Sequence, residues 1–551
     1  MARLSLRIGL AVGLVAAAAA CGAGHVPGDW NPPIAVRSAP APELDSATAR
    51  AAARTQRGEA PRFVAADCPP SWQRAPLDSS IEVRCGRVTV PQTRQSASAA
   101  RRLSAVVLPV MIFNTDEGRD ATPIVLLAGG PGESAVSVAQ TVLLNTPLGR
   151  LAVRTRPIIA VDRRGYGAFQ DRATPDLGFI SNAAQGGDVG SFRPFDGGAA
   201  DAAAKLRREG IDPKFFGTSD AVDDLRDVLK SLGVQRAILL GLSYGTRDAL
   251  QFMRRYPEMV EAAVLDGVAP PQADSLLNPR YVASARQRVA LRVAASCLSD
   301  AVCGAENPDL AKVVEQLTRP DAPPLVVTAM GGLSRPRTVA VPPRAMLATL
   351  GAAAGIEGVG AALPRLLRAM SRGDTLRDSL ASVLVIAAAD TAAIERRLVV
   401  APLVYFAVLC ADGPLGPPVR RGRAVCDAMG VPFAGAELTA PVYSDVPTLL
   451  LSSGNDSQTP PELATEVART LTRSFHVHFR DVGHLAFMQP LSAVCVAAVA
   501  TSFLADPTHG PARAPADACA TIAPAPVAAA LPATAEPKAA RPSASLPDSR
   551  P

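Results

Sequence analysis

The sequence predicts an α/β protein in which a mostly parallel β-sheet is covered by helices on both faces. Three features predict this fold. Short runs with strand character alternate with segments of helical periodicity, as expected when crossover helices join parallel strands. Most of the runs are apolar throughout, which indicates strands buried on both faces. The rhythm then stops over residues 272–440, whose Ala/Leu/Arg-rich, helical pattern predicts a lid inserted between two strands.

Individual elements follow from these patterns in chain order. Ser219 can cap a helix whose apolar residues from Val222 to Leu232 share one face. A second helical segment, 246–256, ends before Pro257. The predicted strands are residues 124–127, 158–161, 237–240, 262–265, 448–451 and 475–479. The folded core is therefore expected to comprise residues 63–271 and 441–519, on either side of the lid.

The amino terminus has the layout of a signal peptide. Arg3 and Arg7 precede an apolar stretch, residues 8–20, that is too short to span a bilayer. Cys21 follows small residues, which predicts lipoprotein processing with Cys21 as the acylated first residue. Cleavage after an Ala-x-Ala site is the alternative and would give a periplasmic or secreted protein. Residues 22–62 are expected to be a flexible tether, and residues 520–551 a disordered Pro/Ala-rich tail.

Composition and charge exclude several classes of function. The net charge is +6, only five of the 56 basic residues are lysine, and no basic run contains interleaved aromatics, so nucleic-acid binding is not expected. No cysteine pair has the two-residue spacing of a zinc or redox motif, and no metal or cofactor is expected. No segment after residue 21 is long and apolar enough to cross a membrane, which leaves a lipid at Cys21 as the expected membrane contact.

The cysteines predict disulfides in an exported protein. Of the nine cysteines, setting Cys21 aside leaves eight, an even number. Their spacing favours pairing between neighbours in the sequence, so that each bridge closes a short loop. The expected pairs are Cys68–Cys85, Cys297–Cys303, Cys410–Cys426 and Cys495–Cys519.

One short segment interrupts a strand in a way that points to catalysis. In Gly241-Leu242-Ser243-Tyr244-Gly245, a serine stands between two glycines where a predicted strand turns into a predicted helix. Glycines without a Cβ allow the sharp turn that exposes a nucleophilic serine. The backbone N–H of Tyr244, at the start of the helix, is then free to bind an oxyanion. We therefore expect Ser243 to be a nucleophile.

A catalytic serine needs a general base and an acid that orients the base. His484 follows the last predicted strand in a loop, where a parallel sheet places its site, although a surface histidine is the alternative. Asp456 follows the preceding strand and gives the chain order Ser, Asp, His of an α/β-hydrolase. Asp266, at the end of an earlier strand, is the alternative acid.

The second oxyanion donor is expected from Gly129-Gly130-Pro131-Gly132, which follows the first predicted strand of the core. The backbone N–H of Gly130 is the natural candidate. A Gly-Pro turn without a catalytic role is the alternative interpretation.

These motifs together resemble the secreted α/β-hydrolases of the tripeptidyl/prolyl aminopeptidase group. The resemblance covers about residues 68–519 and implies an α/β-hydrolase fold with Ser243 as nucleophile, His484 as base and Asp456 as its acid, with Gly130 and Tyr244 as oxyanion donors. Its matching segments are Cys85-Gly86 with Val90-Pro91, Ala128–Gly132, Asp162–Gly167, Ser243–Arg247, Leu265–Gly267, Gly454–Asp456 with Thr459–Pro461, and Gly483-His484.

The chain departs from the group's usual sequence at several positions. Arg163 and Tyr166 stand in a turn that usually reads Asp-Gln-Arg-Gly-Thr-Gly, and Phe169 stands where serine is common. Glu133 replaces a usual glycine beside the predicted oxyanion loop. These differences leave the expected catalytic residues intact and bear on the substrate preference.

Three functions are compatible with these motifs. An aminopeptidase that releases amino-terminal residues or short peptides is favoured, with a peptide or a small ester as substrate. A carboxylesterase can use the same catalytic residues, and a non-catalytic anchored binding protein is the third possibility. An aminopeptidase needs a carboxylate to hold the substrate ammonium, and the predicted lid offers Glu306, Asp309, Glu357, Asp374, Asp378, Asp390 and Glu395.

Overall fold

The structure is a computed structural model. It describes residues 46–68, 79–94, 103–165, 193–273, 279–319, 321–329, 337–341, 346, 350, 354, 363–365, 367–368, 371–372, 402–413, 426–489 and 492–511. The predicted signal peptide with Cys21, the first part of the tether, Tyr166, Phe169 and Cys519 lie outside these residues.

Eleven strands occur in this part of the chain. They are β1 (Phe63–Ala66), β2 (Glu82–Val90), β3 (Val106–Asn114), β4 (Ile124–Leu127), β5 (Ile158–Val161), β6 (Ala237–Leu242), β7 (Val260–Asp266), β8 (Leu325–Ala329), β9 (Arg337–Val341), β10 (Thr448–Ser453) and β11 (Ser474–Phe479). Nine of them form one sheet in the order β1-β2-β3-β5-β4-β6-β7-β10-β11. From β5 to β11 all neighbours are parallel, whereas β1, β2 and β3 extend one edge with antiparallel pairing. All six predicted strands are present.

Twelve α-helices with described bounds accompany these strands, and further helical residues occur at 363–365 and 426–429. The twelve helices are α1 (Ser46–Gln56), α2 (Ala135–Thr141), α3 (Pro147–Thr155), α4 (Arg193–Arg208), α5 (Thr218–Ser231), α6 (Tyr244–Arg255), α7 (Pro279–Ser299), α8 (Ala301–Glu306), α9 (Leu310–Thr318), α10 (Pro402–Asp412), α11 (Pro461–Ala468) and α12 (Ala493–Ala505). Short 3-10 helices occur at Leu143–Asn145, Pro213–Phe215, Pro257–Met259, Ala436–Thr439 and Ala486–Met488.

Alternate residues of the central strands face opposite sides of the sheet, and both sides are buried. Leu240 in β6 packs in a cluster with residues of α2, α3 and α12. Its neighbour Leu239 packs in the other cluster, with residues of α5, α6 and α11. Because successive side chains of a strand point to opposite faces, strands between two helical layers must be apolar at nearly every position. The prediction of a mostly parallel sheet covered on both faces is confirmed.

The predicted insertion, residues 272–440, is less uniform than a helical lid. β8 and β9 pair as an antiparallel hairpin, which β-branched residues such as Val326 and Val327 favour. α10 and the residues after 426 bind the core directly. Arg247 of α6 donates to the carbonyl oxygen of Asp412 at 2.9 Å, and Gln251 donates to that of Leu438 at 3.1 Å. These last residues of the insertion therefore pack on the core.

The predicted flexible tether, residues 22–62, is ordered at its end. α1 forms there because its sequence is rich in alanine, which has the highest helix propensity. Thr55 of this helix donates to the carbonyl oxygen of Thr89 in β2, and Gln56 donates to that of Leu103. The expectation of a tether reaching residue 62 is therefore wrong for residues 46–62.

Three of the four expected disulfides lie within the described residues, as Cys68–Cys85, Cys297–Cys303 and Cys410–Cys426. Cys495 is disulfide-bonded as well, and the position of Cys519, its expected partner, is not described. Across the described residues, no helix has both the length and the apolar character needed to cross a membrane.

Candidate active site

Ser243 lies at the turn between β6 and α6, with a φ angle of 53° and a ψ angle of −120°. Few non-glycine residues adopt a positive φ, and a strained serine between strand and helix is typical of a nucleophile elbow. The flanking glycines are needed for steric reasons. A Cβ at Gly241 would lie 2.9 Å from the carbonyl oxygen of Gly245, and a Cβ at Gly245 would overlap that of Leu127. The Gly-x-Ser-x-Gly pattern thus permits the close approach of strand and helix.

Asp456 and His484 form a hydrogen-bonded pair at the carboxyl edge of the sheet. The distance between Asp456 Oδ2 and His484 Nδ1 is 2.7 Å, and the aspartate is fully buried. Asp456 also accepts from the backbone N–H groups of Gln458 and Thr459, at 2.8 and 2.9 Å, and from the Thr459 hydroxyl at 2.6 Å. These bonds hold the carboxylate in position. Because the carboxylate binds His484 Nδ1, the other ring nitrogen, Nε2, is the one available for proton transfer.

The environment of His484 raises its pKa above the ordinary 6.5. Burial by itself lowers the pKa, because the imidazolium loses hydration. Attraction and hydrogen bonding from Asp456 outweigh burial, and Asp266 and Glu133 add to the attraction. The imidazolium that forms when a serine loses its proton is therefore stabilised at this position.

The alternative acid, Asp266, has a different set of partners. Its carboxylate accepts from the backbone N–H groups of Ala486 and Phe487, at 3.2 and 3.0 Å. Burial raises the pKa of Asp266 to about 6. Asp266 therefore holds the turn after His484 in place, and Asp456 is the carboxylate that binds the imidazole.

Residues 266 and 267 lie between His484 and Ser243 and place the two side by side. The backbone N–H of Ser243 donates to the carbonyl oxygen of Asp266 at 2.9 Å. A Cβ on Gly267 would lie 3.2 Å from His484 Cε1. Asp266 thus binds the serine backbone and Gly267 lies beside the imidazole ring, so the three residues of the expected triad lie around one point at the sheet edge.

The expected oxyanion donors lie beside the serine. Tyr244 is the first residue of α6 and is buried. A Cβ on Gly129, next to Gly130, would lie 3.0 Å from the Ser243 Cβ, and Gly130 has a φ angle of +103°. The loop after β4 therefore runs directly past the nucleophile, as a second oxyanion donor requires.

A buried polar network supports Tyr244, and sequence patterns did not identify it. The Tyr244 hydroxyl donates to Asp412 Oδ2 at 2.6 Å, and the backbone N–H of Thr218 donates to Asp412 Oδ1 at 3.0 Å. Arg163 binds Asp248 at 2.5–2.7 Å and lies over the tyrosine ring. One signal was present in the sequence: α10, PLVYFAVLCAD, is apolar except for its terminal aspartate.

Other positions named from the sequence have structural partners or are not described. Glu306 pairs with Arg365 at 3.5 Å, and Asp309 pairs with Arg368. Glu357, Asp374, Asp378, Asp390 and Glu395 lie outside the described residues. Within the described ranges, no group of three or more His, Cys, Asp or Glu residues could hold a metal ion.

Comparison with known proteins gives two family matches. Residues 122–303 match the family described as alpha/beta hydrolase fold, and residues 415–516 match the family described as TAP-like protein. The chain is 24% identical over 482 residues to Serine protease Hip1 from Mycobacterium tuberculosis, and the same figures hold for the protein of that name from Mycobacterium bovis. The alignment covers 78% of this chain and 86% of the relative.

Solved structures with similar folds include enzymes of different names. An esterase from Thermogutta terrifontis is 17% identical, with a TM-score of 0.35, and the match covers 77% of this chain and 99% of that one. A proline iminopeptidase from Mycobacterium smegmatis is 15% identical with a TM-score of 0.35, and the match covers 73% of this chain and 96% of that one.

Proposed function

The chain is an α/β hydrolase of the TAP-like group and a serine hydrolase, and we propose that it acts as an exported aminopeptidase. It would release amino-terminal residues or short peptides through an acyl-enzyme. The observation that carries this proposal is the 2.7 Å bond from His484 to the buried Asp456, beside a serine held at positive φ. The name of the related serine protease favours a peptide bond over an ester as the target.

In the proposed reaction, His484 Nε2 takes the proton of Ser243 Oγ as this oxygen attacks the substrate carbonyl carbon. Asp456 keeps the ring oriented and stabilises its positive charge. The backbone N–H groups of Gly130 and Tyr244 bind the oxyanion. His484 then gives its proton to the leaving amine, and a water molecule repeats the sequence to release the acyl group as a free acid.

Two regions outside the sheet complete the proposal. Within the predicted lid, residues 272–440, the described residues between 279 and 372 would cover the site, because they lie between β7 and β10 in the chain and contribute no strand to the large sheet. Export is supported by the disulfides, which persist in oxidising compartments. Acylation of Cys21 would anchor the protein to the cell envelope, and cleavage without acylation would release it.

The proposal is tested in two steps with the full chain. A fluorophosphonate probe should label the wild-type protein and fail to label Ser243→Ala, whereas an unlabelled wild-type protein would indicate a non-catalytic binding protein. Hydrolysis of an amino-acyl anilide is then compared with hydrolysis of its N-acetyl form. A clear preference for the free amine is expected. Equal hydrolysis of the two, with rapid hydrolysis of p-nitrophenyl acetate, would indicate a carboxylesterase.

A further inference from the structure

Glu133 places a carboxylate beside the nucleophile that the reaction above does not use. It follows Gly132 in the loop between β4 and α2, and the nearby backbone N–H of Gly129 favours its ionised form, which lowers the pKa of Glu133 in part. A Cβ built on Gly129 would lie 3.1 Å from Glu133 Oε2 and 3.0 Å from the Ser243 Cβ. The carboxylate and the serine side chain therefore approach the same point from two sides.

This carboxylate has little to neutralise it. Among the described residues, no lysine or arginine forms an ion pair with Glu133, and His484 attracts its carboxylate only when the imidazole is protonated. Burial raises the pKa of Glu133, and attraction from His484 lowers it in part. A desolvated carboxylate is costly unless a cation accompanies it, and this one stands next to the position where an oxyanion would form. A cation on the substrate would offset both the cost of desolvating the carboxylate and its repulsion of the nearby oxyanion.

We propose that the Glu133 carboxylate binds the α-ammonium group of the substrate's amino-terminal residue, an inference that rests on the proposed aminopeptidase function. The lid acids Glu306 and Asp309 are less suited to this task, because arginines already pair with them. Glu133 is only partly buried, so a substrate can reach it.

The position of Glu133 also selects the length of the released fragment. In a single residue, the ammonium nitrogen is separated from the carbonyl carbon by one atom, a distance of about 2.5 Å. In a tripeptide, two further residues move the ammonium away by up to about 7 Å. A carboxylate next to the serine therefore matches the ammonium of the residue that is acylated onto Ser243, and the enzyme releases single residues.

The test compares three anilides on the full chain: alanyl-p-nitroanilide, propionyl-p-nitroanilide, which lacks the amine, and Ala-Ala-Ala-p-nitroanilide. The wild-type enzyme should have the highest kcat/KM for the alanyl substrate. Glu133→Gln should lower the ratio of alanyl to propionyl kcat/KM by about 10- to 100-fold, mainly through KM, because a charged hydrogen bond is replaced by a neutral one. Glu133→Asp, which keeps the charge, should recover part of that ratio.

Controls separate this inference from its premise. Glu258→Gln changes an exposed glutamate just before β7, at the amino ends of the parallel strands and away from the site. This variant should keep the wild-type ratio of alanyl to propionyl kcat/KM. Fluorophosphonate labelling counts active sites, so partial misfolding of a variant does not alter the comparison. A wild-type preference for the free amine that survives Glu133→Gln overturns this inference alone, and a preference for the tripeptide anilide overturns the release of single residues. No wild-type preference for a free amine overturns the aminopeptidase function and this inference together.

Discussion

Two buried aspartates lie at the carboxyl ends of the neighbouring strands β7 and β10, yet the two carboxylates do different things. Asp266 is the last residue of its strand and binds backbone N–H groups of the turn after His484. Asp456 stands three residues beyond its strand and binds the imidazole itself. The difference shows that several carboxylates can lie at the carboxyl edge of a parallel sheet. The distance of each aspartate from the end of its strand then decides which one binds the catalytic histidine.

The largest effect is expected at the serine, whose backbone N–H binds the carbonyl oxygen of Asp266. Ser243→Ala should lower turnover of p-nitrophenyl acetate by about 10⁴- to 10⁶-fold, because the members of a catalytic triad act as a unit. His484→Ala should cost nearly as much. Ser299→Ala and His509→Ala, at exposed positions, are the matched controls and should retain activity. Near-normal turnover by the Ser243→Ala protein would show that this site is not the catalytic site.

The second prediction tests the acid in the β10 loop. Asp456→Asn should fold and lose about 10³- to 10⁴-fold in turnover, because the amide neither fixes the tautomer of His484 nor stabilises its positive charge. Steady-state kinetics and the melting temperature separate lost activity from lost stability. A larger loss of activity from Asp266→Asn than from Asp456→Asn would exchange the roles of the two aspartates.

The third prediction concerns the pH dependence of activity and tests whether Asp456 raises the pKa of His484. His484 must be neutral to accept a proton, so activity should fall as the pH drops through its pKa. Because Asp456 raises this pKa, the acid limb of the kcat/KM profile should lie above pH 6.5 in the wild type. In Asp456→Asn, the residual activity should keep its acid limb at a lower pH. An unchanged limb would show that another group controls it.

The parts of this molecule that sequence patterns predicted are those in which one chemical demand fixes local residues. Strands buried on both faces must be almost continuously apolar, which made β4, β5, β6, β7 and β10 recognisable, whereas β11 is partly exposed and includes two histidines. The elbow needs glycines on both sides of Ser243, and a Ser, Asp, His order then leaves few candidates for the remaining roles. The pairing of cysteines close in sequence follows a similar local rule.

Contacts between distant parts of the chain could not be predicted in this way. Asp412 accepts a hydrogen bond from Tyr244 because α10 packs against the core. The sequence of neither segment alone predicts this contact. The hairpin of β8 and β9 was hidden in a segment of helical composition. Glu133 was recognised as unusual, but its distance from Ser243 depends on how the β4 loop folds over Gly129.

The smallest effect is expected from Asp266, the aspartate at the end of β7. Asp266→Asn should keep activity within about tenfold of the wild type, because the amide oxygen can still accept one of the two backbone N–H groups, and losing the other costs about 1–2 kcal/mol of stability. Burial raises the pKa of Asp266 from 3.8 to about 6 in the folded protein. Its contribution to the free energy of unfolding is therefore present at low pH and decreases as the pH rises through about 6. Asparagine does not titrate, so the stability deficit of the variant, measured by denaturant unfolding, should be larger at pH 5 than at pH 8. A deficit that grows with pH would mean that the ionised carboxylate is the form that holds the turn after His484.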